Sequence, residues 1–423
     1  MRLGFLLLIP ALLAADWPHW RGPTRDGLTT ESSGYKAERW VAKTPAWSAS
    51  VGEGSTSPVV VKDRLYVLGH ADKQDTLWCL NLATGKEEWK ASRAAPLHGR
   101  HHRGDEVLYS GPSSTPEYDG ATGFLYTLSC DGDLVCRDTA RRGAVVWSLD
   151  LYDRHGMKQR PKVGVGGAQR DYGYTTAPLV YRDWLLVEVG GKDGTLIAYD
   201  KRTGKKVWGS ACRDLAGHTG GPALLTVEGV PCVVVLTTLQ VVVIRLDARH
   251  EGETLGTYPW PTEFANNIAS PVVHGDAVLV SSAYNKNALV KLRATKTGLA
   301  KVWQVPYPSK ACTPVVHKGS VYFAWQKVHC LDLETGKPRW AGGVIGDPGS
   351  CVVTADDRLI VWGHNGRLML VEGAGRSPRD YRELARLDRV FGIHAWPHVV
   401  LASGHVVCKD RRGNVKCFLV PGS

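Results

Sequence analysis

The densest group of side chains able to do chemistry is "HGRHHRGDE", His98 to Glu106. Zinc would require three or four converging ligands, and no ligand-spaced partner follows this group, so it reads as a solvated loop joining two structural units. No CxxC or Cys/His spacing occurs elsewhere, and no metal site is expected. The stretch "KVGVGGAQR" is rich in glycine but lacks the pattern of a phosphate loop, and "ATGKE" and "RTGKKV" fail it as well. A Ser-His-Asp set is defined by geometry rather than by order in the chain, so none can be read here. More suggestive is "RHGMKQRPKVGVGGAQRDYGYT", a long connection carrying Arg154, Lys158, Arg160, Lys162 and Arg170, with Tyr172 and Tyr174 behind them. Cations beside aromatic rings suit a polar or anionic ligand, and long loops in compact domains are often functional.

Positioning such a loop requires a scaffold, and the chain repeats itself. "LNLATGKEEW" (80–89) and "LDLETGKPRW" (331–340) share a Thr-Gly-Lys turn and a closing tryptophan, and "AYDKRTGKKVW", "CRDTARRGAVVW" and "KLRATKTGLAKVW" carry variants of it. Ahead of each copy lies a small residue and a proline, followed by alternating apolar residues, as in "TSPVVVKDRLYVLG". The alternation has the two-residue period of strands, and the turn glycine supplies a positive φ. Pro58, Pro116, Pro178, Pro222, Pro271 and Pro314 mark six units, and two less regular ones follow. Eight units of four short strands, with no helical stretch worth naming, predict an all-β, eight-bladed β-propeller of antiparallel blades.

Trp47 precedes the first unit with no strands of its own, so it is expected to form the outer strand of the last blade, in one sheet with Lys416–Val420, and close the ring. Trp47, Trp89, Trp147, Trp208, Trp303 and Trp340 read as wedges between blades, with Trp89, Trp208 and Trp340 largely buried. Cys79, Cys136, Cys330 and Cys417 align with Ala198 at one small, buried strand position. Cys408 and Cys417 flank the turn "RRGN" and read either as free thiols or as a disulfide across a hairpin.

The opening "MRLGFLLLIPALLAA" has the charged, apolar and small-residue regions of a secretory leader, giving an expected division into leader 1–15, N-terminal extension 16–46 and propeller 47–423. An uncleaved anchor is the other reading of this stretch. No cysteine follows the small residues, and no later apolar run is long enough for a membrane-spanning helix. The expected location is periplasmic or secreted. Loss of Arg2 leaves 51 basic against 41 acidic residues, a balance that favours anionic surroundings such as polyanionic glycans, acidic envelope proteins or anionic lipid headgroups. An exported chain argues against nucleic acid as the partner.

These repeats resemble the pyrroloquinoline quinone (PQQ) propeller repeat, roughly Ala-x-Asp-x-x-Thr-Gly-x-x-x-Trp, matched best at Tyr199–Trp208. "DWPHWRGPTRDG" and "YRELARL" are similar to segments of secreted bacterial PQQ-like proteins. The resemblance brings two better-known groups into view. Quinoprotein alcohol dehydrogenases hold PQQ with calcium on the propeller axis, and many stack an adjacent-cysteine disulfide on it. This chain has no Cys-Cys pair and no CxxCH haem site, and no calcium-binding or catalytic set can be carried over. The barrel-assembly propeller lipoprotein is non-catalytic but carries a lipobox cysteine missing here. The expectation is therefore a monomeric, non-catalytic binding or interaction scaffold with no cofactor; the alternatives are a PQQ-dependent oxidoreductase with calcium, or an outer-membrane assembly factor. Propeller topology places the connections entering each inner strand and the second-to-third turns on one face. That face is expected to gather Lys158, Arg160, Lys162, Arg170, Tyr172, Tyr174, Lys192, Asn266, Asn267, Tyr284, Asn285 and His364 around a concave mouth, or else to carry ordinary solvated loops.

Overall fold

Each repeat folds into one blade. The computed structural model describes residues 15–95, 111–156, 172–262, 266–347, 349–364, 366–392 and 395–421. Among them lie eight antiparallel sheets, seven of four strands and one of three. Blade 1 is typical: Val59–Val61, Arg64–Ala71, Gln74–Asn81 and Glu87–Ala94 run from the axis outward. The six marker prolines each stand just before an innermost strand, where no ladder donor is needed. Blade 6 shows three strands because the single run Ser320–Asp332 pairs at its start with Val315–His317 and at its end with Pro338–Gly346, bending at Gln326 (φ 59°). The described residues include one short helix, Leu151–His155, which the strand pattern had not foretold. Its start is capped by Asp150, which accepts from the Asp153 amide at 2.9 Å.

The ring closes in the expected sheet. Trp47–Ser50 pairs with Asn414–Leu419 as the outer strand of blade 8, with Trp47 opposite Cys417 and Ser48 opposite Lys416. An outer strand supplied from the other end of the chain ties the first blade to the last.

The repeat signature has a mechanical explanation. The Asp or Asn before each Thr-Gly turn caps it: Asp200 accepts from the amide and hydroxyl of Thr203, both at 2.8 Å, and Asn81 and Asp332 do the same for Thr84 and Thr335. Between third and fourth strands, seven blades carry a register shift at the equivalent place, among them Cys79/Leu80, Cys136/Arg137, Ala198/Tyr199 and Cys330/Leu331. Such a bulge re-aims the neighbouring side chain, and here the tryptophan turns toward the next blade. Trp47 donates to the Leu82 carbonyl at 2.7 Å and covers Gly85, Trp147 donates to Lys201 and covers Gly204, and Trp303 donates to Leu333 and covers Gly336. A Cβ at Gly85 would stand 2.5 Å from the Trp47 ring. Turn glycine and tryptophan thus belong to one contact made between adjacent blades.

The small residue at the bulge lies directly across from that tryptophan, Cys79 opposite Trp89, Cys136 opposite Trp147, Ala198 opposite Trp208 and Cys330 opposite Trp340, and in blade 8, where the pairing is regular, Cys417 lies opposite Trp47. Burial pushes the thiols of Cys79, Cys136, Cys330 and Cys417 up to about 12, far from a reactive thiolate. All ten cysteines are free. Cys408 lies opposite Lys416 rather than Cys417, so the pairing register is one residue off a direct cross-strand pair. Trp89 and Trp340 are 5% and 6% exposed. Trp208, expected to be largely buried, is instead half-buried, as are Trp147 and Trp303. Its contact glycine Gly252 lies farther off, at 3.2 Å from the ring for an added Cβ, against 2.5 Å for Gly143 under Trp89.

Candidate functional site

The axis of the ring is filled from one side by residues 16–34. Trp17 exchanges backbone hydrogen bonds with Val60 of blade 1, and the Pro18 carbonyl accepts from Tyr118 of blade 2. The buried Arg21 guanidinium donates to the carbonyls of Asp26 and Pro314, the latter at blade 6. Leu28 bridges Val353 of blade 7, and the Glu31 carboxylate accepts from the amides of Ser403 and Gly404 in blade 8. A segment touching the inner edges of blades on opposite sides of the ring must lie across its hole. Glu117 secures it: this buried carboxylate meets Arg25, His19 at 3.0 Å and the Val180 amide at 2.9 Å. Burial alone would raise its pKa, but Arg25 and His19 hold it below the usual carboxylate range.

Above this segment, on the face of the inner-strand entries and second-to-third turns, opens a cavity of about 340 Å³. Trp20 forms part of its lining. Its indole rests against Gly220, where an added Cβ would stand 2.3 Å from the ring, and its centroid lies 4.4 Å from that of His398. Tyr172 packs edge-on against His218 at 4.9 Å, Lys310 lies over the Tyr284 ring at 5.7 Å, and Arg411 stacks on Trp396 at 4.9 Å. Lys310 is ion-paired with Asp347. Burial, helped by the Arg21 charge, pushes the His398 imidazole down to about 3. Burial also lowers His364, with Lys310 and Arg411 acting in the same direction against Asp347. Both rings are therefore neutral at neutral pH.

Of the residues singled out in the sequence, Tyr172, Tyr284 and His364 line this cavity. Tyr174 does not: it is fully buried against Tyr152, ring centroids 5.0 Å apart. Asn267 is buried too, its amide donating to the carbonyls of Thr237 and Trp260, so it braces a connection. Asn266 is buried, while Lys192 and Asn285 are exposed on their turns. Lys158, Arg160, Lys162 and Arg170 lie outside the described residues, as do His98–Glu106 and residues 1–14. Sequence reasoning missed Trp20, His218, Lys310, Asp347, Trp396 and His398. A usable signal existed for several of them, since His218 and Lys310 sit four residues ahead of the marker prolines Pro222 and Pro314.

Calcium takes six to eight oxygen ligands, several of them carboxylates. The described lining offers one carboxylate, Asp347, already engaged by Lys310, and no group of three or more His, Cys, Asp or Glu converges among the described residues. These residues do not fit a calcium–quinone centre.

Eight blades, six of them with an outer-strand tryptophan packed toward the next blade, closed by an N-terminal strand, define a propeller of the PQQ-repeat class. The family model described as outer membrane protein assembly factor BamB matches residues 37–152 and 108–342, more than half of the chain, and the protein belongs to that family. No relative is found among curated protein sequences. Among solved structures, BamB from Moraxella catarrhalis is 12% identical, with a TM-score of 0.59 over 89% of this chain and 99% of its own. The quinohemoprotein alcohol dehydrogenase from Comamonas testosteroni is 14% identical, with a TM-score of 0.65 over 96% and 81%. The quinohemoprotein alcohol dehydrogenase ADHIIG from Pseudomonas putida HK5 is 13% identical, with a TM-score of 0.60 over 97% and 81%. At these identities the likeness is one of fold. No helix among the described residues is long and apolar enough to cross a membrane.

Proposed function

We propose that this protein is an exported, non-catalytic binding propeller that holds its ligand in the axial cavity and works as a monomer in the periplasm or outside the cell. The observation that carries the reading is the chemistry of the cavity lining: aromatic faces, neutral histidines and one carboxylate neutralised by Lys310. Such a lining suits reversible binding of a polar molecule. The leader-like first residues support export. The test is titration of the purified mature protein with PQQ and calcium, followed by absorbance and by alcohol-dependent dye reduction. No saturable complex and no dye reduction are expected; a calcium-dependent complex that turns over alcohol would make the protein an oxidoreductase. A second reading, an envelope-assembly factor, is favoured by the family description. Its test is stoichiometric co-purification with outer-membrane barrel-assembly components, and a gel-filtration profile unchanged by their addition would remove it.

A further inference from the structure

The axial cavity also indicates what it binds, on the reading that it is a binding site. Its floor and walls present flat rings, Trp20, Trp396, Tyr172 and Tyr284, in a space near the small end of the usual range of about 300–1,000 Å³ for ligand pockets. Between these rings lie polar groups of both kinds. Trp20 Nε1 can only donate, Asp347 Oδ1 can only accept, and the Thr219 hydroxyl can do either. All three atoms are buried and lack a hydrogen-bond partner among the described residues. An unpaired buried donor or acceptor costs stability, so each calls for a partner from outside the fold.

Charge narrows the choice. Within the lining Lys310 and Asp347 cancel, and His364 and His398 are neutral at neutral pH; Arg411, stacked on Trp396, is not itself among the lining residues. An anion would meet the Asp347 carboxylate, and a cation would meet Lys310 over Tyr284. A hydroxyl group both donates and accepts and carries no charge, so it satisfies Trp20 Nε1, Thr219 and Asp347 alike. Several hydroxyls on a compact ring with apolar C–H faces would use the aromatic walls as well.

We propose that the axial cavity is a saccharide site, built for one neutral polyhydroxylated ring presented as a free sugar or as the end of a glycan chain. The probes are maltose, cellobiose and N,N′-diacetylchitobiose, titrated calorimetrically into the mature protein, with amylose, cellulose and chitin in parallel pull-downs. Saturable binding of at least one disaccharide, unchanged between low and high salt, is expected. Retention on the matching polymer as well would assign the site to chain ends; binding of the soluble sugar alone would assign it to free sugars. Trp396→Ala should weaken binding roughly tenfold or more, Trp396→Phe much less, and Thr219→Val should weaken it while leaving the urea midpoint near wild type. Binding confined to glucuronate or heparin and abolished by salt would overturn the proposal in favour of an anion site. Sugar affinities equal in wild type and both Trp396 variants would overturn it too. If no probe binds, and PQQ with calcium does not either, the saccharide assignment fails while the non-catalytic reading stands. Binding of PQQ with calcium would instead remove that underlying reading.

Discussion

Gly85→Ala isolates the contact that joins neighbouring blades. Gly85 has φ +68° and lies under the Trp47 ring, where a Cβ would approach to 2.5 Å. Gly275 has nearly the same φ, +61°, but nothing within 4 Å of its would-be Cβ. Alanine in the left-handed region costs about 1–2 kcal/mol wherever it falls, so Gly275→Ala should lose about that much. At Gly85 the methyl must also displace the indole. That breaks the Trp47 bond to Leu82, worth about 1 kcal/mol net, and part of the roughly 3–5 kcal/mol attached to a buried large aromatic. The total for Gly85→Ala is about 3–4 kcal/mol. Because Trp47 stands on the closing strand, the loss should open the ring at the junction of blades 8 and 1. Urea unfolding followed by tryptophan fluorescence measures both variants, and hydrogen exchange reports where protection is lost. Equal midpoints for the two alanine variants would refute the coupling of turn glycine to tryptophan, and unchanged protection in residues 414–419 would refute the role in closure.

Other expectations concern the axial segment and buried charges. Glu117→Gln should destabilise the fold and raise the protease sensitivity of residues 16–34, since Arg25 and His19 lose their shared partner; unchanged digestion patterns would show that the segment is held elsewhere. The imidazole of His398 is held near 3, against about 6.5 in an unfolded chain, so the unfolded state binds more protons between those values. Stability should therefore fall as pH drops from about 6.5 toward 3, and His398→Gln should flatten that slope in urea midpoints taken at successive pH values. Burial likewise pushes the amine of Lys409 down to about 7, although it donates to the Gly54 carbonyl. Stability should rise between pH 7 and about 10, where only the unfolded chain keeps this proton, and Lys409→Met should remove the rise.

The fold was legible because its determinants are local and repeated. Asp200, Thr203, Gly204 and Trp208 lie within nine residues, and each copy of that pattern builds the same turn, bulge and outward ring. Counting copies therefore counts blades, and a tryptophan without strands of its own, Trp47, had only the last blade to complete. Burial was less legible. Trp89 and Trp208 hold equivalent places in their repeats, yet one is buried and the other half-buried, because burial depends on how closely the next blade approaches.

The axial site divides the same way. Topology alone assigned Tyr172, Tyr284 and His364 to one face, since the direction of each strand fixes which end a connection occupies. It could not say which side chains turn inward, and Asn267 and Tyr174 went into the scaffold instead of the cavity. Least legible was the N-terminal stretch "DWPHWRGPTRDG". Its repeat-free sequence offers no phase to align, and its place across the ring depends on backbone partners 43 (Trp17 to Val60) to 326 (Gly27 to Val353) residues away in the chain. The sequence by itself determined eight blades, their order and their closure, because those follow from short-range patterns. Only the tertiary structure decided that Trp20 lies in the cavity floor and that Asp347 is neutralised by Lys310, because the axis gathers single side chains from non-repeating positions of many blades.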